Sequence, residues 1–165
     1  MNIYERLTKR EIRISKKFKK NSNIDIIAIE SNTKDFVLDI INKIDKKFNM
    51  GFKINLNIYK KVEEIEIKEN SILILPIEGV FLSFLLYNYK KEEKYKYLIQ
   101  KKNNYFYNIA YNISEYYISK YLNKEPYIFT DYKDMLNFIY EIVSMKEKYV
   151  FGIKNILDYL SKYYL

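Results

Sequence analysis

Cysteine and histidine are missing and glycine is scarce: the 165 residues contain no cysteine, no histidine and only three glycines, Gly51, Gly79 and Gly152. Without imidazole or thiol there is no histidine base, no thiolate nucleophile and no nitrogen or sulfur ligand set for zinc. Three isolated glycines cannot build G-x-G-x-x-G or G-x-x-x-x-G-K-[ST], in which several glycines let the backbone approach phosphate. Walker-type and Rossmann-type nucleotide binding are therefore not expected. Lack of cysteine also rules out a disulfide framework and fits a reducing compartment. Long apolar runs are absent too: the most apolar stretch, Gly79 to Tyr89, is about half the roughly 20 residues that span a bilayer, so it reads as a buried helix. The first twenty residues hold no apolar core of signal-peptide length. A soluble, cytoplasmic protein with no membrane partner and no cofactor is expected.

What is present points to a folded domain. Apolar residues make up 48% and charged residues 30%, enough apolar surface to offset the entropy of ordering the chain. The length favours one compact domain, or two small lobes sharing a core. Ile, Lys, Asn and Tyr are abundant in every segment, the pattern of a nucleotide-composition bias in the source genome, so many Tyr and Asn positions need carry no functional message.

Charge is unevenly placed. Residues 1 to 20 hold Arg6, Lys9, Arg10, Arg13, Lys16, Lys17, Lys19 and Lys20 against Glu5 and Glu11, which leaves +6 of the formal net +8 in this segment. Such a run suits phosphates of RNA or DNA, or an acidic partner. It serves equally as a solvated helix face that keeps the protein in solution. Residues 1–22 are read as a basic N-terminal helix acting as a tether, with Ile3, Leu7, Ile14 and Phe18 near one side.

From Asn23 the pattern alternates between strand and helix. Asn23 to Ile29 (NIDIIAI) is a β-branched run suited to a strand buried on both faces. The following segment places Val37, Ile40, Ile41, Ile44 and Phe48 on one helical face, with Lys43, Lys46 and Lys47 elsewhere and toward its end. Ser31, Asn32 or Thr33 can cap that helix, and Asp35 complements its dipole. Phe52 to Tyr59 alternates like an edge strand, and Asn70 to Ile77 is a second fully apolar strand. Further on, Tyr95 to Gln100 reads as a strand, about 104–122 as a helix, Pro126 to Thr130 as a strand, and 131–144 and about 154–164 as helices. The alternation predicts an α/β fold with a mostly parallel sheet over residues 23–165.

Two arrangements suit these elements. One is a single doubly wound sheet, with ligands beyond the carboxyl ends of the strands at a switch in strand order. The other has lobes at 23–90 and 95–165 with a cleft between them; its element order resembles effector-binding domains of bacterial regulators related to type II periplasmic binding proteins, in order alone and without a shared motif.

Both apolar strands run into Ile-Glu, at Glu30 and Glu78. In a parallel sheet these carboxylates lie near one edge. With Ser31, Asn32, Thr33 and Asp131 they form the candidate ligand site. Paired carboxylates can hold a divalent metal or a cationic ligand, or divide acid and base roles; polar loops and helix starts also gather such residues for structural reasons alone. An anion at the start of the helix is opposed by Glu30 and Asp35, whose full charges exceed the fractional charge of the dipole. The corner thus prefers a cation or a neutral polar ligand. A metal-dependent fold of the Toprim kind is similar in placing Glu after its first strand, but it then requires glycine and a later D-x-D, where this chain has Ser31 and Leu75 to Gly79 (LPIEG). Tyr105, Tyr107, Tyr111, Tyr116, Tyr117 and Tyr121 offer rings for bases or for a protein interface.

The expected role is a non-catalytic domain that senses a small polar ligand or contacts a protein partner, with homo-oligomerisation open. Nucleic-acid association through residues 6–20 is the second reading. A carboxylate enzyme using a divalent metal is the third.

Overall fold

The computed structural model describes residues 2–164. It is an α/β fold: four parallel strands, β1 (Asn23–Ile29), β2 (Lys53–Tyr59), β3 (Ser71–Ile74) and β4 (Phe106–Asn108), form one sheet in the order β2-β1-β3-β4. Among the described residues seven α-helices surround it: α1 (Ile3–Ser15), α2 (Asn32–Phe48), α3 (Ile77–Lys90), α4 (Glu93–Leu98), α5 (Glu115–Tyr121), α6 (Lys133–Met145) and α7 (Lys148–Tyr163). β4 comes from the second half of the chain and pairs directly with β3, so both halves share one sheet.

The side-chain period of two explains the layers. Ile24, Ile26 and Ala28 of β1, with Ile72 and Ile74 of β3, pack with Val37, Ile40 and Ile41 of α2 and with Tyr4 and Ile12 of α1. Ile27, Ile29 and Leu73 point the opposite way, into a core with Val80, Leu82 and Leu86 of α3 and residues of α4, α6 and α7. Ile26 and Ile27 are both buried, as a strand covered on each face requires. β2 is the edge: Leu56 and Ile58 are exposed, and Asn55 reaches across to Asp25 at 2.8 Å.

α1 uses a different face from the one its apolar residues suggest. Ile3 and Ile14 are exposed, whereas Tyr4, Thr8, Glu11 and Ile12 are buried. Glu11 accepts from the Tyr107 hydroxyl at 2.6 Å and pairs with Lys101 at 2.9 Å, and Tyr4 donates its hydroxyl to Glu147. Polar anchors thus turn Ile3 and Ile14 outward, while Leu7 and Phe18 stay half-buried against the core, and the basic helix lies packed on the domain.

Three expected elements differ. Tyr95 to Leu98 belongs to α4, in which Tyr95 and Leu98 are buried three residues apart, a helical rather than an alternating interval. Residues 104–122 are not one helix: the Asn103 side chain accepts from the N–H groups of Tyr105 and Phe106, and Asn108 bonds both backbone groups of Leu75 and the N–H of Ala110. These local side-chain bonds compete with helix formation and leave β4, a loop and the short α5. Residues 126–130 join no strand ladder; the Phe129 carbonyl accepts from Val62 N–H at 2.9 Å and the Tyr127 carbonyl from the Tyr140 hydroxyl. α7 also begins earlier than expected, at Lys148.

Candidate functional site

The chain leaves β1 for β2 on one side and resumes at β3 on the other, so strand order switches between β1 and β3. Their carboxyl ends carry Glu30 to Thr33 and Leu75 to Glu78, the place where open α/β sheets usually receive ligands. Here the chain fills that place itself.

Ser31 caps α2: its hydroxyl accepts from Lys34 N–H at 3.0 Å and donates to the Ile29 carbonyl. The next two N–H groups, of Asn32 and Thr33, donate to the Glu115 carboxylate at 3.0 and 2.8 Å, and the Thr33 hydroxyl joins them at 2.7 Å. Ser119 and the N–H of Tyr127 also donate to Glu115. Asn32 spends its side-chain amide on Ser119 and the Glu125 carbonyl. Glu115 is itself the first residue of α5, and the start of α5 is held by Glu78: Ser114 hydroxyl, Glu115 N–H and Tyr116 N–H all donate to the Glu78 carboxylate. Two buried carboxylates therefore answer the positive ends of two helices in series. Burial pushes the Glu78 carboxyl up to about 7, against the hydrogen bonds from Ser114, Glu115, Tyr116 and its own N–H that favour its charged form.

The corner thus brings together Ser31, Asn32, Thr33 and Glu78 of the expected site, through Glu115, and buries them. Glu30 is half-buried and pairs with Lys34 at 2.6 Å. Asp131 is exposed, pairs with Lys61 at 2.8 Å and donates its N–H to Glu63. Among the described residues, no group of three or more acidic side chains stands close enough to hold a metal ion. Glu115 was invisible as a site residue because its partners lie some eighty residues earlier in the chain.

An open site lies elsewhere, where the carboxyl ends of α1 and α2 meet. A pocket of about 490 Å³ is floored by Ile12, Phe18, Ile44, Met50 and Phe52, with Phe48 at its lip, a volume within the range of about 300–1,000 Å³ typical of small-ligand sites. Phe18 and Phe52 meet edge to face at 5.6 Å. Lys9, Arg13, Lys16, Lys43 and Lys47 ring it, and no acidic residue lines it. Lys9 pairs with Glu5 and Lys43 with Asp39, each at 2.6 Å, while Arg13, Lys16 and Lys47 have no ion pair among the described residues. Lys47 lies 5.4 Å from the Phe48 ring centre.

Of the eight basic residues expected to meet nucleic acid, Lys9, Arg13 and Lys16 line this pocket. Arg6, Arg10, Lys19 and Lys20 are exposed outside it, and Lys17 bonds the Asn70 side chain. Arg6, Lys9, Arg10 and Arg13 recur at intervals of three and four, one stripe of α1 opposite its buried face. A repeated Lys-Lys-Phe, at 16–18 and 46–48, was the one sequence signal for the pocket, because each copy lies at a helix's carboxyl end. Of the tyrosines, Tyr107 and Tyr111 are buried, Tyr117 donates to the Val143 carbonyl, Tyr97 and Tyr105 pack edge to face, and Tyr121 is exposed. Among the described residues, no helix is long and apolar enough to cross a membrane. Comparison with protein families, with curated proteins and with solved structures finds no match.

Proposed function

We propose that this chain is a non-catalytic, cytoplasmic α/β domain that senses a small ligand, and that the ligand sits between α1 and α2. One observation carries the reading: the strand-end corner is closed by Glu78 and Glu115, while the α1–α2 pocket combines an apolar floor with a cationic rim. Acid–base or metal chemistry at the corner needs carboxylates that a substrate can reach. Glu78 and Glu115 are fully buried and committed to helix ends. A pocket with an apolar wall and a few convergent charges is, in contrast, the usual form of a small-molecule site.

Association with RNA or DNA is the second reading, favoured by the Arg6, Lys9, Arg10 and Arg13 stripe. A native mass spectrum of the protein purified gently at low salt separates the two. The expected result is a retained small molecule that is lost from Phe48→Asp, a substitution at an exposed position on the pocket lip. Nucleic acid that a high-salt wash removes would instead support phosphate binding. A bare chain, or a molecule retained despite Phe48→Asp, would overturn the assignment to this pocket.

A further inference from the structure

We infer that the α1–α2 pocket takes a small amphipathic anion, a molecule with an apolar body and one carboxylate or phosphate head. The inference rests on the reading of this pocket as a ligand seat and concerns what fills it. The floor decides the body. Ile12, Phe18, Ile44 and Phe52 offer no hydrogen-bond donor or acceptor, so a sugar, an amino-acid backbone or a base edge pressed against them would lose its bonds to water without replacement. Each such loss costs about 1–3 kcal/mol. Hydrocarbon or an unsubstituted ring loses nothing.

The rim decides the head. Five cations surround the opening, and two of them are answered by Glu5 and Asp39. The carboxyl ends of α1 and α2 also point here and each withdraws about half a charge, which is the purely structural reason for lysines at these positions. The remaining balance is still about +2 at the pocket mouth, by the same count. A cationic head is repelled, and a neutral one gains nothing. An anion meets Arg13, Lys16 and Lys47, none of which has an ion pair among the described residues. These side chains are exposed, so the head stays hydrated at the rim while the body enters. A nucleic-acid strand could use the same cations, but the floor has no polar group to read a base.

The probes are dodecyl phosphate below its micelle concentration, dodecyltrimethylammonium, inorganic phosphate, and anionic phospholipid vesicles. Binding is followed by calorimetry and by the methyl resonances of Ile12 and Ile44. Dodecyl phosphate is expected to bind one to one, to shift both methyls, and to weaken about tenfold in the double variant Arg13→Glu, Lys47→Glu and in high salt. Both positions are exposed, and an unchanged unfolding curve verifies that the variant folds. Equal binding of dodecyltrimethylammonium, equal shifts from inorganic phosphate alone, or capture by vesicles without monomer binding would each overturn the amphipathic-anion assignment. If no probe of any charge moves these methyls, the underlying reading of the pocket as a ligand seat fails as well.

Discussion

Replacing Glu78 by glutamine separates two opposed effects on one buried carboxylate. Removal from water raises its proton affinity, while the donors from Ser114, Glu115 and Tyr116 lower it. Desolvation wins, and the carboxyl moves from the ordinary 4.5 to about 7. That difference corresponds to about 3 kcal/mol between the two protonation states. The sign follows from proton counting. Between pH 4.5 and 7 the folded chain keeps a proton that the unfolded chain has released. The stabilisation is therefore complete below pH 4.5, is lost as pH rises through 7, and changes no further above it.

Glutamine cannot titrate, so Glu78→Gln removes this slope and leaves every other group in place. At pH 4.5 a protonated carboxyl and a carboxamide each present one accepting and one donating side, and the two proteins start close together. Urea unfolding of both at intervals from pH 4.5 to 8 gives a difference curve in which the other carboxylates cancel. The difference is expected to move by about 3 kcal/mol in favour of the variant across that range. A flat difference would show that Glu78 has an ordinary proton affinity. Movement toward the unsubstituted protein would show that the α5 N–H groups outweigh desolvation, and would refute the reasoning.

Glu115→Ala leaves the buried N–H groups of Asn32 and Thr33 and the Thr33 hydroxyl without their acceptor, and is expected to cost about 3–5 kcal/mol in urea unfolding. Glu30→Gln, at a half-exposed ion pair with Lys34, should change the same measurement by less than about 1 kcal/mol. Gly79→Ala directs a methyl group at the fully buried Leu75 side chain, with the Phe129 ring 3.5 Å away; a loss of about 1–3 kcal/mol and a melting temperature lower by several degrees are expected, and an unchanged value would show that Leu75 relaxes freely. Glu11→Ala removes the acceptor of Tyr107 and Lys101, so amide exchange should quicken along α1 while α6 and α7 keep their protection.

How much was legible depended on the range of the interactions. β1, β2, α2, α3 and α6 are written in local periodicity: Asn23 to Ile29 must be buried on both faces, and Val37, Ile40 and Ile41 fall on one side of any helix. The polar corner after β1 was legible as a cap for the same reason, since Ser31 bonds a group three residues away. The stretch from Tyr95 to Ser114 was not. Its apolar residues permit a helix, and only Asn103 and Asn108, bonding neighbouring and distant backbone, divide it. Nor could the buried face of α1 be read, because Glu11 earns its place inside through Tyr107 and Lys101, some ninety residues on. Long-range polar pairing leaves no periodic trace.

That same long-range pairing accounts for where binding is possible. A parallel sheet gathers helix N-termini at one edge, and their free N–H groups and positive ends must be met by something. Where glycine-rich loops keep the edge open, a phosphate meets them. This chain has no such loop, and side chains take the phosphate's role: Glu115 at α2 and Glu78 at α5. Those charges are internal, and the N–H groups of Asn32, Thr33, Glu115 and Tyr116 are matched by them. Arg13, Lys16 and Lys47, without an ion pair among the described residues, stand at the opposite ends of α1 and α2, around exposed Phe48 and half-buried Phe18, Ile44 and Phe52. On the proposed reading, closing the customary site with its own carboxylates leaves the helix carboxyl ends, ringed by cations that outweigh their partial negative charge, as the seat of an anionic ligand, where it would find both a charge and an apolar surface.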